Sequence, residues 1–132
     1  LPAMLEAGYG RIVNVASTAG LAGFPYVAAY CAAKHGVVGL TRALALEVAD
    51  KGINVNAVCP GFTDTDMLQE SIRNIAAKTG RTEAEARDEL AATNAHGQLI
   101  RPEEVADMVV ALCGPAATSV TGQTIEITGE ET

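Results

Sequence analysis

Three short, β-branched apolar runs separated by long helical stretches constrain this chain more than any other feature. Residues 11–16 (RIVNVA) form the first run, between Gly10 and a Ser-Thr-Ala-Gly turn cluster. Residues 53–59 (INVNAVC) form the second, stopped by Pro60-Gly61. Residues 124–128 (TIEIT) form the third, between Gly122 and Gly129. Runs this short and this rich in Val and Ile read as buried strands. Between the first two, residues 26–51 place Val37, Leu40, Leu44 and Val48 near helical spacing, with Gly52 where a C′ glycine is expected. Before the third, residues 102–113 repeat the scheme. Pro102 suits a first helical turn, Glu103 and Glu104 complement the positive dipole end, and Gly114-Pro115 ends the helix. Its apolar stripe is Val105, Met108, Val109 and Leu112. Strands that alternate with helices pair in parallel through right-handed crossovers, so the expected class is α/β.

The stretch between the second strand and the last helix, residues 62–101, is too long for a simple connection. It is expected to hold one or two short helices, with Thr82 and Glu85 at capping-box spacing. An insertion after the carboxyl end of a parallel strand suits a substrate lid, and equally a solvated surface excursion. No repeat or linker divides the 132 residues, so residues 1–132 are read as one domain with 62–101 an insertion in it. Sixteen Asp and Glu against nine Lys and Arg argue against a nucleic-acid partner, which needs a basic footprint. No run of roughly 18 residues is apolar throughout, as a spanning helix would need, so no membrane partner is expected. Three Cys without tight spacing do not suit a disulfide framework, and a reducing, cytoplasmic setting is the expectation. The chain opens at Leu1 rather than Met, with no signal-peptide pattern.

Tyr30 and Lys34 lie four residues apart near the start of the long helix, hence on one face. A neighbouring ammonium favours the phenolate form of a tyrosine, so the pair suits proton transfer. The same spacing also arises from a half-buried Tyr beside a snorkelling Lys. Ser17 lies just past the first strand, and both positions belong to the carboxyl edge of a parallel sheet, where such folds bind ligands. Ser17 by itself would suit an ordinary turn or cap.

The segments Arg11-Ile12-Val13-Asn14-Val15-Ala16-Ser17, Tyr30-x-x-x-Lys34 and Asn56-Ala57-Val58-Cys59-Pro60-Gly61, in this order and spacing, resemble the short-chain dehydrogenase/reductases. Residues 29–62 look most like the 3-oxoacyl reductases, both fatty-acid type and polyketide ketoreductases. The resemblance implies a Rossmann-type doubly wound parallel sheet, of which this chain would carry the C-terminal half: about three parallel strands with helices. It implies an NADP(H)- or NAD(H)-dependent oxidoreductase that interconverts a ketone, such as a 3-oxoacyl thioester, and its alcohol. Tyr30 would be the general acid or base. Ser17 would orient the carbonyl and stabilise charge on its oxygen. Lys34 would lower the Tyr30 pKa and bind the nicotinamide ribose. Pro60 and Gly61 would shape the loop beside the nicotinamide. Thr63, through its backbone, and Thr65, through its hydroxyl, would hold the carboxamide. Relatives build dimers and tetramers through the long helix, so self-association is expected, as is association with the missing first half.

The departures from that pattern are as concrete as the matches. The glycine-rich phosphate loop, the residue that selects between the two dinucleotides and an upstream catalytic Asn all belong to the first half of that fold. No G-x-G-x-x-G follows a strand here. Asn14, in the strand before Ser17, is not that Asn. Where relatives end near Asp-Gly-Gly, this chain reads Thr128-Gly129-Glu130. The 132-residue chain alone is therefore expected to be inactive. Its first strand should expose an apolar edge (Ile12, Val13, Val15), covered by an N-terminal fragment or another copy. Two other readings compete. Cys31 and His35, four apart, have the spacing of a thiolate nucleophile and its base, though no orienting third residue is evident. Ala28, Ala29, Ala32, Ala33, Gly36 and Gly39 on the long helix suit a purely structural oligomerisation module, or packing on the chain's own sheet. Metal binding is not expected: Cys31, Cys59, Cys113, His35 and His96 lack ligand spacing, and Asp64 and Asp66 form no calcium loop.

Overall fold

The computed structural model describes residues 1–129. The order of elements is α1 (Pro2–Ala7), β1 (Gly10–Val15), α2 (Ala28–Glu47), β2 (Ile53–Pro60), α3 (Asp66–Thr79), α4 (Glu83–Ala92), α5 (Pro102–Cys113) and β3 (Thr124–Ile127). The strands form one parallel sheet in the order β1-β2-β3. Gly10 stands opposite Ile53 and Val15 opposite Val58, while Ala57 to Pro60 pair with Thr124 to Ile127. The α/β class and the parallel pairing expected from the alternation are what the chain adopts.

The core lies on both faces of β2, whose residues Ile53 to Cys59 are all buried. On one face α2 packs Val38 over Ala16, Ala57 and Cys59, and packs Ala45 and Val48 over Ile53 and Val55. On the other face α5 packs Leu112, with Val105, Met108 and Val109, over Val58, Ile127 and Ile100. Each Val, Leu or Ile so buried contributes about 1.5–3 kcal/mol relative to leaving it in water. Two Asn of β2 lie within this core and are both paired. Asn54 donates to the Ala117 and Thr118 carbonyls at 3.0 and 2.9 Å. Asn56 donates to the Val120 carbonyl at 2.9 Å and accepts from the Gln123 N–H at 3.0 Å. Together they fix the connection between α5 and β3.

The long helix departs from its expected outline. It runs Ala28–Glu47 rather than 26–51, because Tyr26 sits at φ 69°, which no helix accommodates, and Val48 closes the last turn. Its buried row is Cys31, Val38, Thr41, Ala45 and Val48, and Leu40 is 61 % exposed rather than part of the apolar stripe. Thr41 takes the buried place because its hydroxyl donates to the Val37 carbonyl at 2.8 Å and accepts from Asn14 at 3.0 Å. Ala28, Ala29, Ala32, Ala33, Gly36 and Gly39 are all exposed, so they do not pack on the chain's own sheet. Gly52 is not the C′ residue of α2. It has φ 76° in the turn entering β2, where a Cβ would overlap the Gly8 carbonyl oxygen. Helix α1 had no counterpart in the sequence reading. It ends in Gly8 at φ 66° and lays Met4 against the core.

Among the described residues β1 pairs only with β2, and its other edge carries no strand; Val15 there is 51 % exposed. No helix among the described residues is long and apolar enough to cross a membrane. The expected departure at 128–130 extends to Glu130, outside the described residues.

Replacing Asn56 by Ala would remove the partners of the half-buried Val120 carbonyl and of the Gln123 N–H. Denaturant unfolding should show a loss of about 1–3 kcal/mol for Asn56→Ala, against a change within about 0.5 kcal/mol for the exposed Val110→Ala.

Candidate active site

The carboxyl ends of β1 and β2 meet the first turns of α2. The Ala16 N–H donates to the Val58 carbonyl at 2.8 Å, carrying the pairing one residue past β1. Ser17 then leaves the sheet beside the end of β2. Its Oγ accepts from the Ala19 N–H at 3.1 Å and so caps a short 3-10 turn, Thr18–Gly20. Acceptance uses only a lone pair, so the hydroxyl hydrogen is left to donate to a ligand oxygen. The capping and ligand-facing readings of Ser17 are compatible.

Tyr30 is the third residue of α2 and is 48 % exposed. Lys34 follows one turn later. Its ammonium lies 5.7 Å from the centre of the Tyr30 ring and donates to the Val15 carbonyl at 3.3 Å. The lysine is thus held between the phenol and the end of the strand that delivers Ser17.

After Pro60 the chain is tied down at both sides. The Gly61 N–H donates to the Ile127 carbonyl at 3.1 Å. The Thr63 hydroxyl donates to the Gly61 carbonyl at 3.0 Å, and Thr63 forms a parallel bridge with Ile100. The Thr65 hydroxyl caps α3 by accepting from the Leu68 N–H at 3.3 Å, which leaves its hydrogen available.

Sequence reasoning missed Asn94. It is buried at the end of α4, where its side chain grips the Phe62 backbone and the Gln98 carbonyl. The only signal for it was a polar residue near a helix end, which ordinarily means a cap. A cavity of about 260 Å³ opens beside this loop, walled by Ala22, Phe24, Phe62 and Ile127, with Asn94 and Glu126 as polar lining. Thr18 faces it rather than Ser17.

The 62–101 insertion is a helical hairpin with its own small core: Leu68 and Ile72 of α3 against Ala86 and Leu90 of α4, with Phe62 and Leu99. The Thr82–Glu85 capping box is formed. Arg87 of α4 donates to Asp64 at 2.9 Å, and Gln69 donates to the same carboxylate at 2.8 Å. The Arg87 hydrogen bond holds the Asp64 carboxyl below the usual carboxylate range.

The Cys31–His35 pair is not arranged as nucleophile and base. The His35 Nδ1 lies 2.8 Å from the Cys31 carbonyl oxygen, which requires it to donate there, and the Cys31 side chain is buried. Burial also pushes the Cys59 thiol up, against a lowering backbone hydrogen bond from Ser17. Among the described residues no three His, Cys, Asp or Glu are grouped as a metal would need.

A parallel β1-β2-β3 sheet covered by helices on both faces is a Rossmann-type arrangement, and Lys34 lies beside Tyr30 at the carboxyl end of β1. The chain belongs to the short-chain dehydrogenase/reductases: residues 1–129 match the family described as Enoyl-(Acyl carrier protein) reductase. It is similar to a cyclohexanol dehydrogenase of Acinetobacter, 44 % identical over 132 residues, which are 100 % of this chain and 47 % of that one. It is similar to a 3-oxoacyl-[acyl-carrier-protein] reductase of Rickettsia felis, 39 % identical over 96 % of this chain and 48 % of the relative. A crystal structure of an F189W actinorhodin polyketide ketoreductase with NADPH superposes with a TM-score of 0.88 and 47 % identity, over 96 % of this chain and 48 % of that one. The chain spans about half the length of the curated relatives it matches.

Two outcomes follow for solution work. Asp64 has a depressed folded pKa, so its contribution is present above the ordinary carboxylate pKa of about 3.9 and is lost as pH falls through the lower folded value. Both partners are well exposed, so the effect is small: Arg87→Ala should lower stability slightly at neutral pH and converge with the wild type as pH falls through the folded Asp64 value, which flattens the acid limb of the stability–pH curve. Iodoacetamide should modify the exposed Cys113 in the folded chain, and Cys31 and Cys59 only after denaturation, as mass spectrometry would read.

Proposed function

We propose that this chain carries the acid–base half of an NADPH- or NADH-dependent oxidoreductase that reversibly reduces a ketone, of the 3-oxoacyl thioester or polyketide type. The observation that carries this reading is the Lys34 ammonium held beside the Tyr30 ring at the head of α2, next to the strand that delivers Ser17. The relatives' names support the ketone–alcohol chemistry, and span both acyl thioesters and a simple cyclic alcohol.

The residues present fit the nicotinamide end of a dinucleotide. Lys34 offers an ammonium for hydroxyls, Thr63 offers its backbone, and Thr65 offers a hydroxyl hydrogen. The cofactor, when bound, supplies the hydride. The chain's own residues polarise and move a proton. Ser17 donates its hydroxyl hydrogen to the substrate carbonyl oxygen and stabilises the charge that builds there. Tyr30 donates its phenolic proton to the same oxygen during reduction and takes it back during oxidation. Lys34, anchored on the Val15 carbonyl, keeps a positive charge beside the phenol as the proton leaves. The helical hairpin at 62–101 serves as the lid over the substrate, and Phe24 and Phe62 give the adjoining cavity an apolar wall suited to an acyl or polyketide chain. The exposed small residues of α2, continued by Leu40 and Leu46, form the face through which copies associate as dimers or tetramers.

In the full polypeptide that carries these residues, Tyr30→Phe should lower kcat about 10²- to 10⁴-fold with dinucleotide affinity retained. Steady-state kinetics with a 3-oxoacyl thioester and a fluorescence titration with NADPH measure the two. Unchanged turnover removes the mechanism. The 132-residue chain itself, with no glycine-rich phosphate loop, should bind NADPH only weakly, and tight binding would contradict the division of labour proposed.

A further inference from the structure

The ends of the helical hairpin are joined by one side chain. Asn94, at the end of α4, accepts from the Phe62 N–H at 2.9 Å through Oδ1. Its Nδ2 donates to the Phe62 carbonyl at 2.9 Å and to the Gln98 carbonyl at 2.8 Å. A single carboxamide therefore satisfies both backbone groups of Phe62, as a paired strand would, and also holds the returning chain. Rotating the amide by a half-turn would set N–H against N–H and C=O against C=O, so the partners fix its orientation. Asn94 is 8 % exposed, which makes each of these bonds costly to lose. The clasp also dictates its neighbour: a Cβ at Gly61 would overlap Asn94 Oδ1. Beyond Asn94, the Ile100 N–H donates to the Phe62 carbonyl at 3.0 Å, and the Asp64 N–H donates to the Ile100 carbonyl at 2.8 Å. The Phe62 ring lines the 260 Å³ cavity, and Asn94 lines it too.

We infer that Asn94 is a positioning residue: its carboxamide sets the path of residues 61–63, and through Phe62 it couples the helical hairpin to the reacting edge of the sheet. The inference rests on the ketone-reductase reading for its kinetic consequence, but the clasp itself is independent of that reading. A residue that only stabilised the fold would lower the melting temperature and leave the affinity of a folded enzyme alone. A residue that sets the loop changes the affinity of what the loop touches.

Asn94→Asp separates the two. The ionised carboxylate keeps the acceptor for the Phe62 N–H but removes both donors and faces two carbonyls. The neutral acid restores one donor. In the full polypeptide, Asn94→Asp should raise KM for the ketone and the dinucleotide roughly tenfold at pH 8, with kcat changed by less than KM. The KM ratio of variant to wild type should fall as pH is lowered toward 5. Protection of the Phe62 amide hydrogen against exchange, relative to wild type at the same pH, should be reduced in the variant at pH 8 and restored toward the wild-type level at pH 5. A folded Asn94→Asp enzyme with wild-type KM at both pH values overturns the inference, whatever its melting temperature. Should Asn94→Asp not fold, Gly61→Ala takes its place, since it pushes against the same carboxamide. Gly61→Ala should raise both KM values, and adding Asn94→Ala should raise them no further; additive effects overturn the coupling. The two claims fail separately. An active Tyr30→Phe enzyme would remove the reductase mechanism while leaving the Phe62 exchange result intact, and an inert Asn94 would leave Tyr30→Phe inactive.

Discussion

Strand β2 is buried from Ile53 to Cys59, and a strand covered on both faces tolerates no unpaired polar group. The rest of the architecture follows from meeting that condition. Helix α2 covers one face and α5 the other, so both connections out of β2's neighbourhood must be long crossovers. The polar side chains that β2 does carry are placed where they fix something. Asn54 and Asn56 reach the α5–β3 connection and hold residues 117–123 against the sheet, which brings β3 into register with Ala57 to Pro60. Pro60 then ends the strand without presenting a donor, and the chain turns out at Gly61. The stiffness of the carboxyl edge, on which Ser17 and the 61–65 loop sit, is a consequence of the dry strand behind it.

Much of this was legible in the sequence because the signals were local and redundant. The helix 102–113 carried a Pro, two Glu, a stripe and a Gly-Pro stop, and α5 has those limits. The Thr82–Glu85 box needed only two residues at the right spacing. What was misread depended on partners distant in the chain. Leu40 fits the helical period of α2, yet Thr41 is the buried residue, because Asn14 of β1 reaches it and only the fold brings them together. Gly52 looked like a helix stop, but its requirement comes from the Gly8 carbonyl pressing on it from another turn. Asn94 was invisible for the same reason, since its partners at Phe62 lie 32 residues away. At the site, the Tyr30–Lys34 proximity was legible from helical spacing, whereas the anchoring of Lys34 on the Val15 carbonyl was not.

The two kinds of loop at the edge are built differently. The turn after β1 is held by a side chain capping its own backbone, Ser17 to Ala19. The loop after β2 is held by a remote side chain, Asn94, and by the Ile100 bridge. The first arrangement is rigid regardless of what the insertion does. The second is only as firm as the hairpin's seat on the sheet, which rests on Phe62, Leu99 and an exposed Asp64–Arg87 pair. For the ketone reduction proposed above, a turn fixed by Ser17 and a loop set by the hairpin suit a carbonyl that is always oriented alike while the remainder of the substrate varies.

The start of α2 shows what the site costs. Helices α3, α4 and α5 each carry acidic residues in the first turn, and α3 and α4 have a threonine cap as well. Helix α2 is the longest of the five, with 20 residues, yet it has no acidic residue in its first turn and no side-chain cap. It also carries Lys34 only one turn beyond Tyr30. For stability alone this is a poor choice, since a capping residue is ordinarily worth about 0.5–2 kcal/mol. An uncapped amino end leaves backbone N–H groups and their partial positive charge near Tyr30. An aspartate there would have stabilised the helix and placed a competing negative charge beside the phenol. The local rule is broken at α2, as at the six-residue α1, and is observed at α3, α4 and α5, a pattern in keeping with the proton transfer proposed for Tyr30.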